Sequence, residues 1–155
     1  MIQQPRYLFY SNEVLRSARR DGGSAAFVCS YVDDLVLNQG VGPDTIATSV
    51  QKLLQPGDVL SWQSHDRVLI TLKARNEDAV LRAVVGVHSA LLQLPLQQGG
   101  NAGWPRIHTG VSIFPVDGDR LAPLLTRVFV AAQAARGDTL VGSRLRFFKP
   151  GFLLN

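Results

Sequence analysis

The sequence predicts an α/β protein of the α+β type, in which about five strands form one mixed sheet with helices on both faces. Short apolar segments, bounded by turn residues, alternate with longer segments whose apolar residues recur at helical spacing. An antiparallel hairpin interrupts this alternation, so the sheet is predicted to be mixed rather than purely parallel. The predicted order of elements is α-β-α-β-β-α-β-α-β.

Length and composition indicate one soluble globular domain. The chain has 155 residues, 46% of them hydrophobic and 18% charged. Its single cysteine, Cys29, excludes an internal disulfide and fits a reducing compartment. No apolar run approaches the ~20 residues that span a bilayer. We therefore expect a cytoplasmic location, which leaves a membrane-bound partner open.

The charge argues against nucleic acid as a partner. The net charge is +4, and 13 of the 16 basic residues are arginine, a side chain whose fork fits phosphate oxygens. However, only Arg16, Arg19 and Arg20 cluster, and no basic stripe carries interleaved aromatic residues. Nucleic-acid binding is therefore not expected.

The first elements are a short helix and a buried strand. Ser11 or Asn12 can cap a helix that ends near Arg20, before an Asp-Gly-Gly turn. Residues 25–32 are apolar and partly β-branched, which predicts a buried strand.

A second helix and a hairpin follow. Proline and aspartate open a helix over residues 43–54, and a Pro-Gly-Asp turn ends it. Residues 59–62 and 68–72 form two apolar strands, and residues 63–67 form the polar tip that joins them. We expect residues 64–67 of this tip to be exposed, because burying their polar groups costs free energy.

The clearest helix is predicted over residues 77–94, with Asn76 as its N-cap. A polar, glycine-rich loop follows at residues 97–105, and a strand at residues 107–115.

The chain closes with a helix and a strand. Asp117 or Asp119 is predicted to cap a helix over residues 120–136, and the last strand lies within residues 139–148.

Two arrangements of polar residues resemble catalytic or metal sites only superficially. Ser64, His65 and Asp66 are adjacent on a tight turn and diverge, whereas a catalytic triad must converge in space. The sequence also argues against a metal site formed by His65, His88 and His108. The predicted positions of two of these residues are unlike those of metal ligands, because His88 is on an apolar helix face and His108 is inside a strand. Histidines in such places are more often satisfied core or boundary residues.

Asp33 and Asp34 directly follow the first strand. Paired carboxylates at a strand end can hold Mg²⁺, but they also commonly start a solvated loop. The two residues alone leave both interpretations open.

Residues 55–72 begin with Gln-Pro-Gly-Asp and continue into the hairpin and its apolar strand, and residues 108–118 read H-T-G-V-S-I-F-P-V-D-G. In this order, the two segments resemble the R-x-x-D, hairpin and apolar strand and the S-I-G-V-x-x-F-P-x-D-G of the GGDEF family, the diguanylate cyclases of bacterial cyclic-di-GMP signalling. The resemblance covers about residues 25–148 and implies the GGDEF, nucleotidyl-cyclase-like fold for that domain. Residues 1–24 would then be a lead-in with a short helix, and residues 149–155 a tail.

The hairpin departs from the family's pattern. Where the family has G-G-D-E-F, this chain reads Ser64-His65-Asp66-Arg67-Val68. The family's two glycines let the backbone approach the guanine nucleotide, and Ser64 and His65 put side chains into that space. Arg67 replaces an acid that helps to hold metal, which reverses the charge that Mg²⁺ needs.

Two further positions depart as well. In the strand that the family ends with D-x-D-x-F-K, Tyr31 takes the first, metal-binding aspartate position and Asp33 keeps the second. The basic residue expected in the last helix falls at Gln133 or Ala134. Because phosphoryl transfer needs metal and cationic groups, the resemblance implies a vestigial site with no catalytic residues, no bound metal, no cofactor and no cyclase activity.

The family's product site is also incomplete. Gln55 and Asp58 stand where the family has R-x-x-D, so the aspartate is kept and the arginine is lost. We expect cyclic-di-GMP binding to be weak or absent, unless Arg16, Arg75 or Arg82 reaches the same surface.

These features favour a catalytically inactive GGDEF-like domain that acts as a regulatory or protein-interaction module. Similar domains occur in regulators of exopolysaccharide and biofilm formation, so membrane-associated secretion or signalling machinery is an expected partner, and a homodimer stays open. The alternative is a cyclic-di-GMP receptor domain of a cellulose or Pel secretion system. An unusual active cyclase is a third hypothesis. A ferredoxin-like small-molecule-binding domain, whose likeness is only architectural, is a fourth.

Overall fold

A computed structural model describes residues 4–32, 43–64, 66–93, 107–137 and 144–154. Its architecture is a five-stranded mixed sheet with two of the described helices on each face. This confirms the predicted fold class, and the elements occur in the predicted order.

The elements have the following bounds. The helices are α1 (Gln4–Asp21), α2 (Pro43–Gln51), α3 (Glu77–Leu92) and α4 (Leu121–Arg136). The strands are β1 (Ser24–Val32), β2 (Val59–Ser64), β3 (Arg67–Ala74), β4 (Ile107–Phe114) and β5 (Arg144–Phe147), and a 3₁₀ helix (Pro150–Leu154) follows. The strand order in the sheet is β2-β3-β1-β4-β5. The β4–β5 pair is parallel, and the other three pairs are antiparallel.

Strand β1 lies at the centre of the sheet, and all nine of its residues are buried. Residues such as Phe27 and Cys29 pack towards α1 and α4, and residues such as Ala26 and Val28 pack towards α2 and α3. Burial on both faces explains why this strand is a continuous apolar run without alternation.

Helix α1 is longer than predicted, because it begins before the residues predicted to cap it. It begins at Gln4, and Ser11 is a buried residue in its interior rather than an N-cap. The hydroxyl of Ser11 is 2.9 Å from that of Thr71, and the Tyr7 hydroxyl is 2.7 Å from the same Thr71 oxygen. These buried hydroxyl groups satisfy one another, which explains why a typical capping residue is tolerated inside the helix. The predicted boundary between the lead-in and the domain at residue 24 stays a prediction.

Helix α4 begins without the predicted aspartate cap. It starts at Leu121, and its N-cap residue is Arg120, whose side chain makes no capping hydrogen bond. Asp117 lies before the helix, and its Oδ2 accepts a hydrogen bond of 2.8 Å from the Ile113 backbone N–H. This aspartate therefore stabilises the turn after β4 instead of the helix terminus.

Helix α3 confirms its predicted cap. The Asn76 Oδ1 accepts a 2.8 Å hydrogen bond from the Ala79 N–H. The predicted loop at residues 97–105 lies outside the described residues. Among the helices described, none is both long and apolar enough to cross a bilayer.

Strand β4 and helix α4 approach each other so closely that only glycine fits at residue 110. A Cβ on Gly110 would lie 2.0 Å from the Ala132 backbone N and 2.5 Å from its Cα. These are backbone atoms in the interior of a helix, so relieving the overlap requires α4 to move away from the sheet.

We therefore expect Gly110→Ala to lower the free energy of unfolding by about 3 kcal/mol or more, at the upper end of overpacking effects. Gly86→Ala is the matched control. Gly86 lies inside α3 with nothing within 4 Å of an added Cβ, so this change should stabilise the protein by about 0.5–1 kcal/mol. Urea unfolding of both variants measures the difference. Equal effects would contradict the close packing of α4 on β4.

The burial of the Tyr7 phenol predicts that the protein loses stability at alkaline pH. Burial raises the pKa of the Tyr7 phenol to about 12, against ~10 in an unfolded chain. The folded state therefore holds this proton more tightly, and its stabilising effect is present below pH ~10 and is lost as the pH rises from ~10 to ~12.

We expect Tyr7→Phe to be about 1 kcal/mol less stable than the wild type at pH 8, because a buried hydrogen bond is lost. This gap should narrow above pH ~10, since only the wild type has a Tyr7 phenol that ionises on unfolding. Burial also raises the pKa of Cys29 to about 12, but that residue is common to both proteins. A gap that stays constant between pH 8 and 11 in urea unfolding would contradict the prediction.

Candidate functional site

The tip of the β2–β3 hairpin is fastened to the end of β1. The Ser64 hydroxyl donates a 2.8 Å hydrogen bond to Asp66 Oδ1, and the Asp66 backbone carbonyl accepts one of 2.7 Å from the Val32 N–H. Ser64 is exposed as predicted, and His65 lies outside the described residues. The prediction of a wholly exposed tip is wrong for Asp66 and Arg67, both of which are half-buried.

The Arg67 side chain packs between aromatic rings. Its guanidinium carbon lies 5.3 Å from the centre of the Phe129 ring and 5.8 Å from that of the Tyr31 ring. The Arg67 Nη1 donates a hydrogen bond of 3.3 Å to the Tyr31 hydroxyl. Cation–π contacts therefore offset the cost of removing this charge from water.

Tyr31 is the centre of a group that we call the tyrosine–arginine cluster, formed by Tyr31, Arg67, Phe129, Gln133 and Arg136. The Gln133 Nε2 donates a 3.1 Å hydrogen bond to the Tyr31 hydroxyl, and the Arg136 guanidinium carbon lies 4.5 Å from the centre of the Tyr31 ring. Tyr31 itself is buried, with 6% of its surface exposed. Its phenol is thus held by one cation and one amide, while a second cation covers its ring.

Sheet register and helix spacing bring this cluster together. Tyr31 pairs directly with Arg67 of β3 and, on its other side, with His108 of β4. Paired residues point to the same face of a sheet, and here that face packs against α4. Phe129, Gln133 and Arg136 are spaced by four and three residues, so they share one side of α4.

Sequence reasoning found three of these residues but not their contact. Tyr31, Arg67 and Gln133 were each predicted as a departure from the family's pattern, whereas Phe129 and Arg136 were not predicted at all. The available signal was that the three departures fall at positions that the resemblance assigns to one site.

The predicted metal positions are only partly described. Asp33 and Asp34 lie outside the described residues, and no group of three or more potential ligands for a metal ion occurs among the residues that the structure does describe. His88 is buried, and its Nδ1 is 2.9 Å from the Thr109 hydroxyl. Burial lowers the pKa of His88, and the nearby His108 adds to this shift. The interpretation of His88 as a satisfied core histidine is therefore confirmed.

At the predicted product site, both oxygens of the Asp58 carboxylate already accept backbone hydrogen bonds. Its Oδ2 accepts a 2.8 Å hydrogen bond from the Gln55 N–H, and its Oδ1 accepts one of 3.1 Å from the Lys73 N–H. Burial raises the pKa of Asp58, and these two amides oppose the shift. Asp58 thus holds the turn into β2 and links it to β3.

A surface cavity of about 260 Å³ lies beside this turn. It is lined by side chains of α1 and β3 as well as by the turn, among them Tyr10, Glu13, Ser17 and Lys73. The Lys73 Nζ donates a 2.7 Å hydrogen bond to the Ser17 hydroxyl and also pairs with Asp21. That contact with Lys73 lowers the pKa of the Asp21 carboxyl.

Sequence comparison and structural comparison give different results. No protein-family model matches this sequence, and no curated protein matches it. Among solved structures, the GGDEF domain of YfiN (TpbB) from Pseudomonas aeruginosa is similar, with a TM-score of 0.78 at 18% identity over 98% of this chain and 94% of that chain.

Two further similar structures are complexes. The diguanylate cyclase SiaD of Pseudomonas aeruginosa, solved with its activator SiaC, has a TM-score of 0.68 at 17% identity over 93% of this chain and 57% of that chain. The GGDEF domain of DgcB from Caulobacter crescentus, solved with cyclic-di-GMP, has a TM-score of 0.62 at 13% identity over 88% of this chain and 84% of that chain. The chain therefore has a GGDEF-like fold, and identities this low show the fold alone.

The bonding of Asp58 predicts that its carboxylate is structural. We expect Asp58→Ala to lower the free energy of unfolding by about 1–3 kcal/mol, because the Gln55 and Lys73 amides lose their acceptor. Glu13→Ala is the matched control. Glu13 lines the same cavity but makes only an exposed ion pair with Arg16, so its loss should change stability by less than about 1 kcal/mol. Thermal and urea unfolding of both variants measure the effect. A neutral Asp58→Ala would contradict the structural role.

Proposed function

We propose that this chain is a catalytically inactive GGDEF-like domain that serves as a regulatory or protein-interaction module in bacterial cyclic-di-GMP signalling. The observation that carries the proposal is that Arg67 and Gln133 both donate hydrogen bonds to the Tyr31 hydroxyl. The resemblance assigns the position of Tyr31 to a metal-binding aspartate and that of Arg67 to a metal-site acid, and it places a helix cation at Gln133 or Ala134. Here Tyr31, Arg67 and Gln133 form one hydrogen-bonded group.

The residues of this group do not fit a magnesium ion. Mg²⁺ is bound by carboxylate oxygens and water in an octahedral shell. The Tyr31 position offers a phenol whose oxygen lies 3.3 Å from Arg67 Nη1, so a positive charge already occupies the surroundings. Repulsion between that guanidinium and a divalent cation opposes metal binding, and phosphoryl transfer from GTP depends on such a cation.

A role in protein interaction fits a GGDEF-like fold without this chemistry. In the complex of SiaD with its activator SiaC, a cyclase with this fold is held by a second protein. We propose that this chain likewise acts by contacting a partner, such as membrane-associated machinery for exopolysaccharide secretion, and that it does so in the cytoplasm.

A cyclic-di-GMP receptor is the alternative, supported by the cavity beside Asp58 and by the DgcB complex with cyclic-di-GMP. Two observations weigh against it. The Asp58 carboxylate is occupied by two backbone amides, and Gln55 supplies no cation. Calorimetry with cyclic-di-GMP distinguishes the two functions, since a dissociation constant on the order of 1 μM would favour the receptor.

We expect no cyclic-di-GMP when the protein is incubated with GTP and either Mg²⁺ or Mn²⁺, because the cluster offers no carboxylate to hold the metal ion and its Arg67 guanidinium repels a divalent cation. Chromatography of the nucleotides measures the product, with an active GGDEF domain as the positive control. Protein-dependent product above background would contradict the proposal.

The matched variant combines Tyr31→Asp, Arg67→Glu and Gln133→Lys, which places the family's residue types at these positions. We expect this variant to bind GTP in a Mg²⁺-dependent manner, measured by calorimetry, where the wild type does not. Mg²⁺-dependent GTP binding by the wild type of equal strength would show that the cluster is not what prevents it.

A further inference from the structure

We propose that the tyrosine–arginine cluster is a docking point for an acidic segment of a partner protein, with Arg67 and Arg136 binding its Asp or Glu carboxylates. This deepens the proposed function, on which it rests, by naming the surface and the chemistry of the partner.

The two cations of the cluster lack a carboxylate partner among the described residues. The ion pairs found there involve Arg16, Arg20 and Lys73 instead. Both guanidinium groups of the cluster lie within 6 Å of the centre of the Tyr31 ring, so two positive charges are concentrated around one side chain. Like charges at short range repel, and a carboxylate placed against both would remove that repulsion.

The cluster also holds its arginines ready for binding. Arg67 packs on two rings and bonds to the Tyr31 hydroxyl, while Arg136 lies on the Tyr31 ring. Arg136 is exposed and stacks on its ring, so its N–H edge can make the forked pair of hydrogen bonds that carboxylates accept, and Arg67 adds a second positive charge. Because the rings already restrict these side chains, less conformational entropy is lost on binding.

The cluster opens to solvent at the end of α4. Gln133 and Arg136 are exposed, and Arg67 is half-buried. The acid of the hairpin tip that the structure describes, Asp66, accepts a hydrogen bond from Ser64. A ligand that approaches the end of α4 therefore meets the exposed Arg136.

The same features favour a protein partner over a small anion. Small ligands are usually held in concave pockets, whereas Gln133 and Arg136 lie on the exposed end of α4. Nucleic acid requires an extended basic stripe with stacking aromatic residues, and here the rings are covered by arginine. An extended acidic segment needs only two adjacent forks at an exposed edge.

The test uses the full chain, labelled with ¹⁵N, and a blocked five-residue peptide of Glu and Asp. The matched neutral peptide carries Gln and Asn in the same order. At a salt concentration of about 50 mM, we expect the acidic peptide to shift the amide signals of Tyr31, Gln133 and Arg136 in a saturable manner, and the neutral peptide to shift none.

Variants identify the residues that bind. We expect Arg136→Gln and Arg67→Gln each to lower the affinity for the acidic peptide by about 5- to 10-fold, because each removes one charge-assisted contact. Arg16→Gln and Arg82→Gln, which alter exposed arginines elsewhere, should change the affinity by less than about 2-fold. Arg136 is exposed at the end of a helix, so its variant stays informative even if Arg67→Gln does not fold. Arg136→Lys keeps the charge but loses the fork, and we expect an intermediate affinity.

Several outcomes would overturn the inference. These are the absence of a saturable shift, equal binding of the neutral peptide, an Arg136→Gln variant that binds as the wild type does, or tighter binding of pyrophosphate than of the acidic peptide. The last result would identify a small phosphate ligand instead. None of these outcomes changes the cyclase assay, so a failure of this inference and a failure of the proposed function are distinguishable.

Discussion

The burial of β1 on both faces is the constraint on which the rest of the structure depends. This strand pairs with β3 on one side and β4 on the other, and both cores of the protein form on its two faces. Because successive side chains point to opposite faces, a slip of one residue would move every core residue of β1 to the wrong helix layer. The register is therefore strongly specified, and it places Tyr31 against Arg67.

The order of elements was predictable because most of them carry local signals. Asn76 caps α3 as its sequence position indicates, and the apolar run of β1 indicates a fully buried strand. The start of α1 was not predicted, because Ser11 has the residue type of a cap and its buried partner, Thr71, is distant in sequence. Asp117 was misassigned for a similar reason, since its bond to the Ile113 amide competes with a helix cap.

The candidate site was predictable position by position but not as a whole. The resemblance identified Tyr31, Arg67 and Gln133 as separate departures, and each alone indicates only the loss of a function. Their contact depends on the register of β1 with β3 and on the packing of α4, both of which are long-range properties. The structure adds that the three residues are mutually compatible: the phenol of one accepts hydrogen bonds from the other two. Side chains that bond to one another in this way form a well-packed group.

The hydroxyl contacts beneath α1 have a mechanical consequence. Tyr7 and Ser11 both bond to Thr71, and further along the same strand Lys73 bonds to Ser17. A movement of α1 over the sheet would break these bonds together, so they couple the position of the helix to that of β3. Because β3 is also the second strand of the hairpin and begins at Arg67, the coupling joins α1 to the strand that carries this residue.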